Sequence, residues 1–330
     1  METRELGSSG IKVSVIGLGC NNFSLFLEQD QVTRCILQAL DEGITLLDMA
    51  SEHVAGKEEA AVGEALGARR KDVVIATKFG QQELMGFEAD GRFRMGSDQT
   101  RQGTSRRWIM QSVEESLRRL KTDYIDLYQP HVNPPEGGEE EMMIVLDELV
   151  RSGTVRAIGH ACSFTTAAQL RKMQEIADTN GLTPFVTMQT MYNMLAREAD
   201  TELLPEAWKQ KMSLLPASPL ANGLLTGKYR KGDPLPSGSR FGDVAYVRQA
   251  TPAEHWDKME LLRTFAQARN MSMVELSFAW LLAEPRVASV IAGATRPEQV
   301  KQNAATASVR LSKADLREVD KILQASPAKP

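Results

Sequence analysis

The sequence predicts one (β/α)8, or TIM, barrel with two long loops on a single rim, and three observations predict it. Short β-rich runs alternate with amphipathic helical stretches along nearly the whole chain. The ends of the β-rich runs recur at one interval, and no shift in composition marks off a second domain. The 330 residues therefore read as a single domain, 1–330.

The strands, in order, are Val15 to Leu18, Thr45 to Leu47, Val73 to Ala76, Tyr124 to Tyr128, Val155 to Ile158, Phe185 to Met188, Ser213 to Leu215 and Ala288 to Ile291. Between them the apolar spacing turns helical: Val32, Cys35, Ile36, Ala39 and Leu40 share one face, as do Ile109, Val113, Leu117 and Leu120. Met142, Val145, Leu146 and Leu149 form a third such face, with Glu139-Glu140-Glu141 in its first turn, where acids suit the helix dipole. Gly43, Gly153 and Gly181 follow three of these helices, where positive φ is wanted. The strands end near Gly19, Asp48, Lys78, His131, His160, Gln189, Ser218 and Gly293, and most intervals are about 29 residues, one β/α unit. The two longer intervals hold the loops: the Gly-rich stretch Gln81 to Gly103, and Lys231 to Thr251 with Pro234, Pro236, Gly238 and Gly242. An open doubly wound sheet is the alternative, but no G-x-G-x-x-G follows the first strand.

Composition removes several function classes. A formal charge of −4 leaves no basic excess to neutralise phosphates, so nucleic acid is not an expected partner. No apolar run reaches the length of a membrane span, and the start Met1-Glu-Thr-Arg-Glu5 is unlike a signal peptide. Three widely spaced cysteines, Cys20, Cys35 and Cys162, make neither a metal spacing nor a disulfide framework, which suits a cytoplasmic protein. The expected partner is a small-molecule substrate; oligomeric state is not legible. Arg69-Arg70-Lys71 and Arg118-Arg119 read as solvated helix ends, and Met142-Met143 as core filling. Cys162 is the cysteine nearest the rim, reactive if a cation stabilises its thiolate.

In such barrels the chemistry sits at the C-terminal ends of the strands. Those positions carry Asp48, Lys78 and His131, with His53 five residues past Asp48 and His160 closing the fifth strand. Each alone has a structural explanation, such as a cap or a satisfied rim histidine. Three ionisable residues on one rim point to a site. A metal is not expected: His53, His131, His160 and Asp48 are suitable ligand types, but no local ligand spacing exists and Lys78 repels a cation.

The chain resembles an aldo-keto reductase over essentially its full length. The resemblance rests on Arg4 to Ser14 with Gly17-Leu-Gly-Cys-Asn-Asn-Phe23, on Gly43 to Asp48, on Ala76-Thr-Lys78-Phe-Gly80 and on Asp123 to His131. Gln189 to Asn193, Ser218-Pro-Leu220, Gly223 to Tyr229 and Gly293 to Asn303 continue it. It implies an N-terminal β-hairpin and NADP(H) across the barrel mouth. It further implies hydride transfer to a carbonyl protonated by a tyrosine, with a lysine–aspartate pair and a histidine in support. Asp48, Lys78 and His131 match three of these roles. Gly19, Cys20, Asn21, Gln189, Ser218, Leu220, Gly293, Thr295, Arg296, Gln299 and Asn303 match cofactor positions. Arg296 beside Thr295 offers a charge and a hydroxyl to a 2′-phosphate, favouring NADP over NAD.

The departures cluster at the chemistry. His53 stands where the family has its tyrosine; Tyr246, in the second long loop, is a conceivable substitute. Ala161-Cys162 replaces the Ser-Asn that holds the nicotinamide carboxamide, and Ala217 replaces the aromatic that stacks on the ring. His160, beside that carboxamide position, reads as a substrate-contacting residue. A histidine titrates near pH ~6.5, and a nearby Lys78 opposes its protonation, making His53 a better base than acid at neutral pH. Three readings follow: an NADP(H)-dependent carbonyl/alcohol oxidoreductase with His53 as proton donor, a lyase or isomerase with His53 as base, or a catalytically silent NADP(H)-binding protein.

Overall fold

The computed structural model describes residues 1–23, 26–51, 56–80, 86–87, 93–94, 103–236 and 252–324. His53 and Tyr246 lie outside the described residues, as do most of both long loops.

All eight sequence-predicted strands are present, with ends shifted by a few residues. They are β3 (Ile16–Gly19), β4 (Leu46–Asp48), β5 (Val74–Phe79), β8 (Ile125–Pro130), β9 (Val155–Ile158), β10 (Thr187–Met191), β11 (Ser213–Ala217) and β12 (Val290–Gly293). Six run parallel in the order β12-β3-β4-β5-β8-β9, and β10 pairs in parallel with β11. Parallel bridges between His160 and Met188 and between Leu214 and Val287 join the two sets. His160 N–H donates to Thr187 at 2.8 Å, and Leu214 N–H donates to Arg286 at 2.8 Å. The ring of eight strands is thereby closed.

The wall alternates as a strand must. Leu46, Val74, Ala76, Leu127, Ala157, Leu215 and Ile291 share one buried cluster inside the barrel, together with Leu6, Ile11 and Val13. These last three belong to the N-terminal hairpin, β1 (Thr3–Glu5) paired antiparallel with β2 (Lys12–Ser14), which plugs the floor. Gly7, in its turn at φ +53, leaves no room for a side chain: a Cβ there would lie 2.1 Å from the Val186 carbonyl oxygen.

Helices α1 (Gln29–Asp41), α2 (Lys57–Leu66), α3 (Arg106–Leu120), α4 (Glu139–Arg151), α5 (Ala167–Asn180) and α6 (Leu203–Lys209) pack in succession outside the wall. Then come α7 (Ala253–Gln267), α8 (Met273–Leu282), α9 (Pro297–Ala305) and α10 (Lys313–Gln324), with α7 against α10. The buried faces are those of the apolar spacing, with Val32, Cys35, Ile36 and Ala39 in α1 and Met142, Val145, Leu146 and Leu149 in α4. Gly43, Gly153 and Gly181 adopt positive φ past their helices. Within the first long loop, Gly86–Phe87 (β6) and Phe93–Arg94 (β7) pair antiparallel, which the polar composition did not signal.

The arginine runs are not simply solvated, and here the structure corrects the sequence. Arg70 donates to buried Asp126 at 2.8 Å, and Arg119 donates to fully buried Glu59 at 2.7 Å. Thr77 donates to the other Glu59 oxygen, so the carboxylate is tied to α3 and β5 even though burial pushes its pKa up. Their partners are distant in sequence, beyond the reach of a helix-end argument. The same seam explains Gly63 in α2, where a Cβ would lie 2.6 Å from the Arg119 carbonyl oxygen. Gly63→Ala is expected to lower stability by about 1–3 kcal/mol, read as a fall in urea midpoint at unchanged slope.

Candidate active site

Counting by twos along the wall decides what enters the barrel. In β4, Leu46 faces in, and so does Asp48. In β5, Val74 and Ala76 face in, and Lys78 follows; in β8, Leu127 faces in, with Gln129 and then His131 at the rim. The strands are adjacent, with Lys78 and Gln129 as register partners.

Lys78 Nζ donates to both Asp48 carboxylate oxygens at 2.9 Å and to the Met49 carbonyl at 2.7 Å. Gln189 Nε2 donates to Asp48 Oδ1 at 3.0 Å. Lys78, Asp48 and Gln189 are all buried, so their hydrogen bonds act in a low dielectric, where a charge pair is strong and a lone charge costly. His131 is half-buried at the adjoining strand end, its N–H donating to Phe79 at 2.7 Å. The structure therefore brings Asp48, Lys78, Gln189 and His131 to one end of the barrel, with Gln189 bonded to the aspartate.

The other sequence-predicted positions form a second zone beside it. Gly19 and Gly293 are register partners at the ends of β3 and β12. Gly293 is exposed, and a Cβ there would lie 3.0 Å from Asn22 Nδ2 and 3.6 Å from Asn21 Oδ1, so the two asparagine side chains pack close over this glycine. Arg296 is the exposed N-cap of α9, whose first turn has no side-chain cap. Thr295 donates to Gln299 Oε1 through its N–H at 2.8 Å and its hydroxyl at 3.1 Å. An exposed cation at an uncapped helix start suits a phosphate. Asn303, one turn on, is mostly buried. After β11, Ser218, Ala221 and Asn222 hold φ of +52, +48 and +56, strain of the kind found at ligand-binding turns. Asn193 Nδ2 donates to the Ser218 carbonyl at 3.0 Å and braces that turn; Leu220 is half-buried within it. The bracing by Asn193 joins two loops and has no local sequence signal; of the three residues at positive φ, only Asn222, next to Gly223, is of a type that favours it.

Two positions are not placed as their strand-end location suggested. Cys20 is fully buried, its thiol pushed up by burial and by neighbouring carboxylates, so only its backbone can meet a ligand. His160 is also fully buried, edge-on to Phe185 with ring centroids 5.3 Å apart. Ala157 faces into the barrel, so Gly159 does too, and His160 turns towards the helices. As placed, its ring has no surface to offer a substrate. Burial, with His131 adding to it, pushes the imidazole down to about 3. Ala161 and Cys162 beside it are buried, and neither supplies a strong hydrogen-bonding side chain.

Grooves of about 600 and 530 Å3 open at the opposite end of the barrel, beside Lys71, Arg118 and Lys121 and beside Ser152 and Arg156. They lie at the strand starts, away from the chemistry. Among the described residues, no group of three His, Cys, Asp or Glu could hold a metal, and no helix is long and apolar enough to cross a membrane.

A model of the Aldo/keto reductase family matches residues 15–324. The chain is 31% identical over 331 residues to versiconal hemiacetal acetate reductase of Aspergillus parasiticus, covering 96% of this chain and 95% of that protein. It is 31% identical over 340 residues to a probable voltage-gated potassium channel subunit beta of Arabidopsis thaliana, covering 100% and 99%. The solved structure of the aldo-keto reductase AKR11C1 from Bacillus halodurans, in its holo form, superposes with a TM-score of 0.75 at 28% identity, covering 99% of this chain and 97% of that one. With this fold, this strand-end cluster and matches along nearly the whole length, the chain belongs to the aldo-keto reductase family of oxidoreductases.

Proposed function

We propose that the protein is an NADP(H)-dependent oxidoreductase that interconverts a carbonyl and an alcohol, with His53 in the proton-donor role. The observation that carries this reading is the buried Lys78–Asp48 pair, braced by Gln189, at the strand end beside His131. When bound, the dinucleotide supplies or accepts the hydride. Arg296 at the start of α9 would hold its 2′-phosphate, with Thr295 turning its hydroxyl from Gln299 to join it, and the exposed backbone of Gly293, beside Gly19 and Asn21, would face the dinucleotide. Ser218 and Leu220 lie on the braced turn beyond β11 and would flank it. Gln189, Gln299 and Asn303 contribute from β10 and α9. The Lys78 cation, fixed by three acceptors, biases its surroundings towards a negative reacting oxygen; His131 orients that oxygen; His53 gives or takes the proton.

The test is NADPH oxidation with a panel of aliphatic and aromatic carbonyls. Loss of nicotinamide absorbance matched mole for mole to alcohol supports the reading. The burial of Ala161 and Cys162, and the lack of a stacking ring at Ala217, favour one competitor: a lyase or isomerase in which His53 abstracts a proton beside a carbonyl. Product formed without a change in absorbance would establish that competitor. NADPH binding with no turnover of any kind would mark a silent cofactor-binding protein.

Cofactor choice has its own expected result. Arg296→Ala should weaken NADPH binding by about tenfold to a hundredfold, the worth of a charge-assisted hydrogen bond. NADH binding should be unchanged, with both read by fluorescence titration.

A further inference from the structure

His160 has no part in the chemistry above, yet among the described residues it is the histidine that the fold desolvates completely. Among the described residues its Nε2 has no hydrogen-bond partner, a cost that a leucine at this point would avoid. What the imidazole gains lies at Nδ1. The Cys162 N–H donates to it at 3.3 Å, and Thr165 Oγ1 stands 3.4 Å away. A neutral ring that accepts at Nδ1 carries its proton on Nε2. The ring stays neutral at any working pH, because burial and the neighbouring His131 both oppose its protonation. With Nδ1 already filled by the Cys162 amide, the single Thr165 hydroxyl proton goes to the better acceptor, Asn133 Oδ1 at 2.7 Å.

That bond crosses between two loops. Thr165, nearly fully buried, lies on the loop after β9; Asn133 lies on the loop after β8, two residues beyond His131. His131 is pinned on its other side by its amide, which donates to Phe79.

We propose that Thr165 is a positioning residue for His131: seated against the buried ring of His160, its hydroxyl grips Asn133 and sets where the His131 imidazole stands at the barrel mouth. The inference rests on the reading of His131 as the group that orients the substrate oxygen. Thr165 touches no reacting atom; it acts through the loop.

The test uses the full chain and three variants. Thr165→Val keeps the shape and removes the hydroxyl, Thr165→Ser restores it, and Asn133→Ala breaks the same bond from the other side. The His131 ring signals, followed by NMR and assigned with His131→Gln, should shift or broaden in Thr165→Val and in Asn133→Ala but not in Thr165→Ser. The KM for a carbonyl substrate should rise about threefold to tenfold in Thr165→Val, the worth of one neutral hydrogen bond, with NADPH affinity unchanged. The double variant Thr165→Val/Asn133→Ala should be no worse than either single one. Unmoved His131 signals, additive effects in the double variant, or an equal loss of NADPH affinity would each overturn the proposal. Moved His131 signals in a protein that reduces no carbonyl would uphold the clamp and remove the reductase reading instead.

Discussion

Replacing Lys78 with methionine is expected to lower kcat for carbonyl reduction by about 10²–10⁴-fold, the scale of a lost proton-transfer or charge-stabilising group. The same change should cost about 3–5 kcal/mol of stability, because it leaves a buried carboxylate without its counter-ion. Lys78 fills three acceptors, and Asp48 would keep only the Gln189 amide. The two effects separate by experiment. Asp48→Leu combined with Lys78→Met removes both charges and should recover most of the urea midpoint while restoring no activity. If Lys78→Met retains full turnover with NADPH, the pair is structural and the proposed chemistry fails. If the double variant is less stable than Lys78→Met alone, Asp48 has a structural role beyond pairing with Lys78.

The second large effect lies at His53. His53→Tyr is expected to raise carbonyl reduction at neutral pH by as much as ~10²-fold, because a phenol near pKa ~10 remains protonated where an imidazole near ~6.5 does not. The sign in the wild type follows. Reduction needs the imidazolium, so its rate should be greatest below that pKa and fall as pH rises through it. Alcohol oxidation needs the neutral ring and should rise over the same interval. A pH–rate profile for reduction that is flat from pH 5.5 to 8 would count against His53 as donor. A His53→Tyr variant that binds NADPH but gains nothing would place the deeper change at Ala161, Cys162 and Ala217, the positions at which the resemblance implies carboxamide ligands and a stacking ring.

The barrel was legible because its signals are local. A strand needs only its run of apolar residues, a helix its spacing, and a helix end its glycine; each lies within a few residues of the element it specifies. That is why all eight strands and the caps at Gly43, Gly153 and Gly181 came through. The antiparallel pair at Gly86–Phe87 and Phe93–Arg94 did not, since its strands are two residues long and carry no alternation to read. Among site residues, Asp48 shares a side of the wall with Leu46, Lys78 with Val74 and Ala76, and His131 with Leu127, each at an even spacing along its strand. His160 fails that same count from Ala157, so strict alternation could have found its burial from the sequence.

The sequence by itself determined the (β/α)8 order, which residue types stand at the strand ends, and that a histidine, His53, follows Asp48 at the position proposed for the proton donor. These are matters of identity and period, carried along the chain. Only the tertiary structure decided that Lys78 gives its protons to an aspartate 30 residues away and that Gln189 reaches the same aspartate from 141 residues away. It also decided that Arg70 and Arg119 are spent on buried carboxylates and that Thr165 spans two loops to Asn133. The physical reason is the same in each case. A hydrogen bond depends on which side of a strand a donor occupies and which strand lies next to it, and closing the barrel is what makes those neighbours.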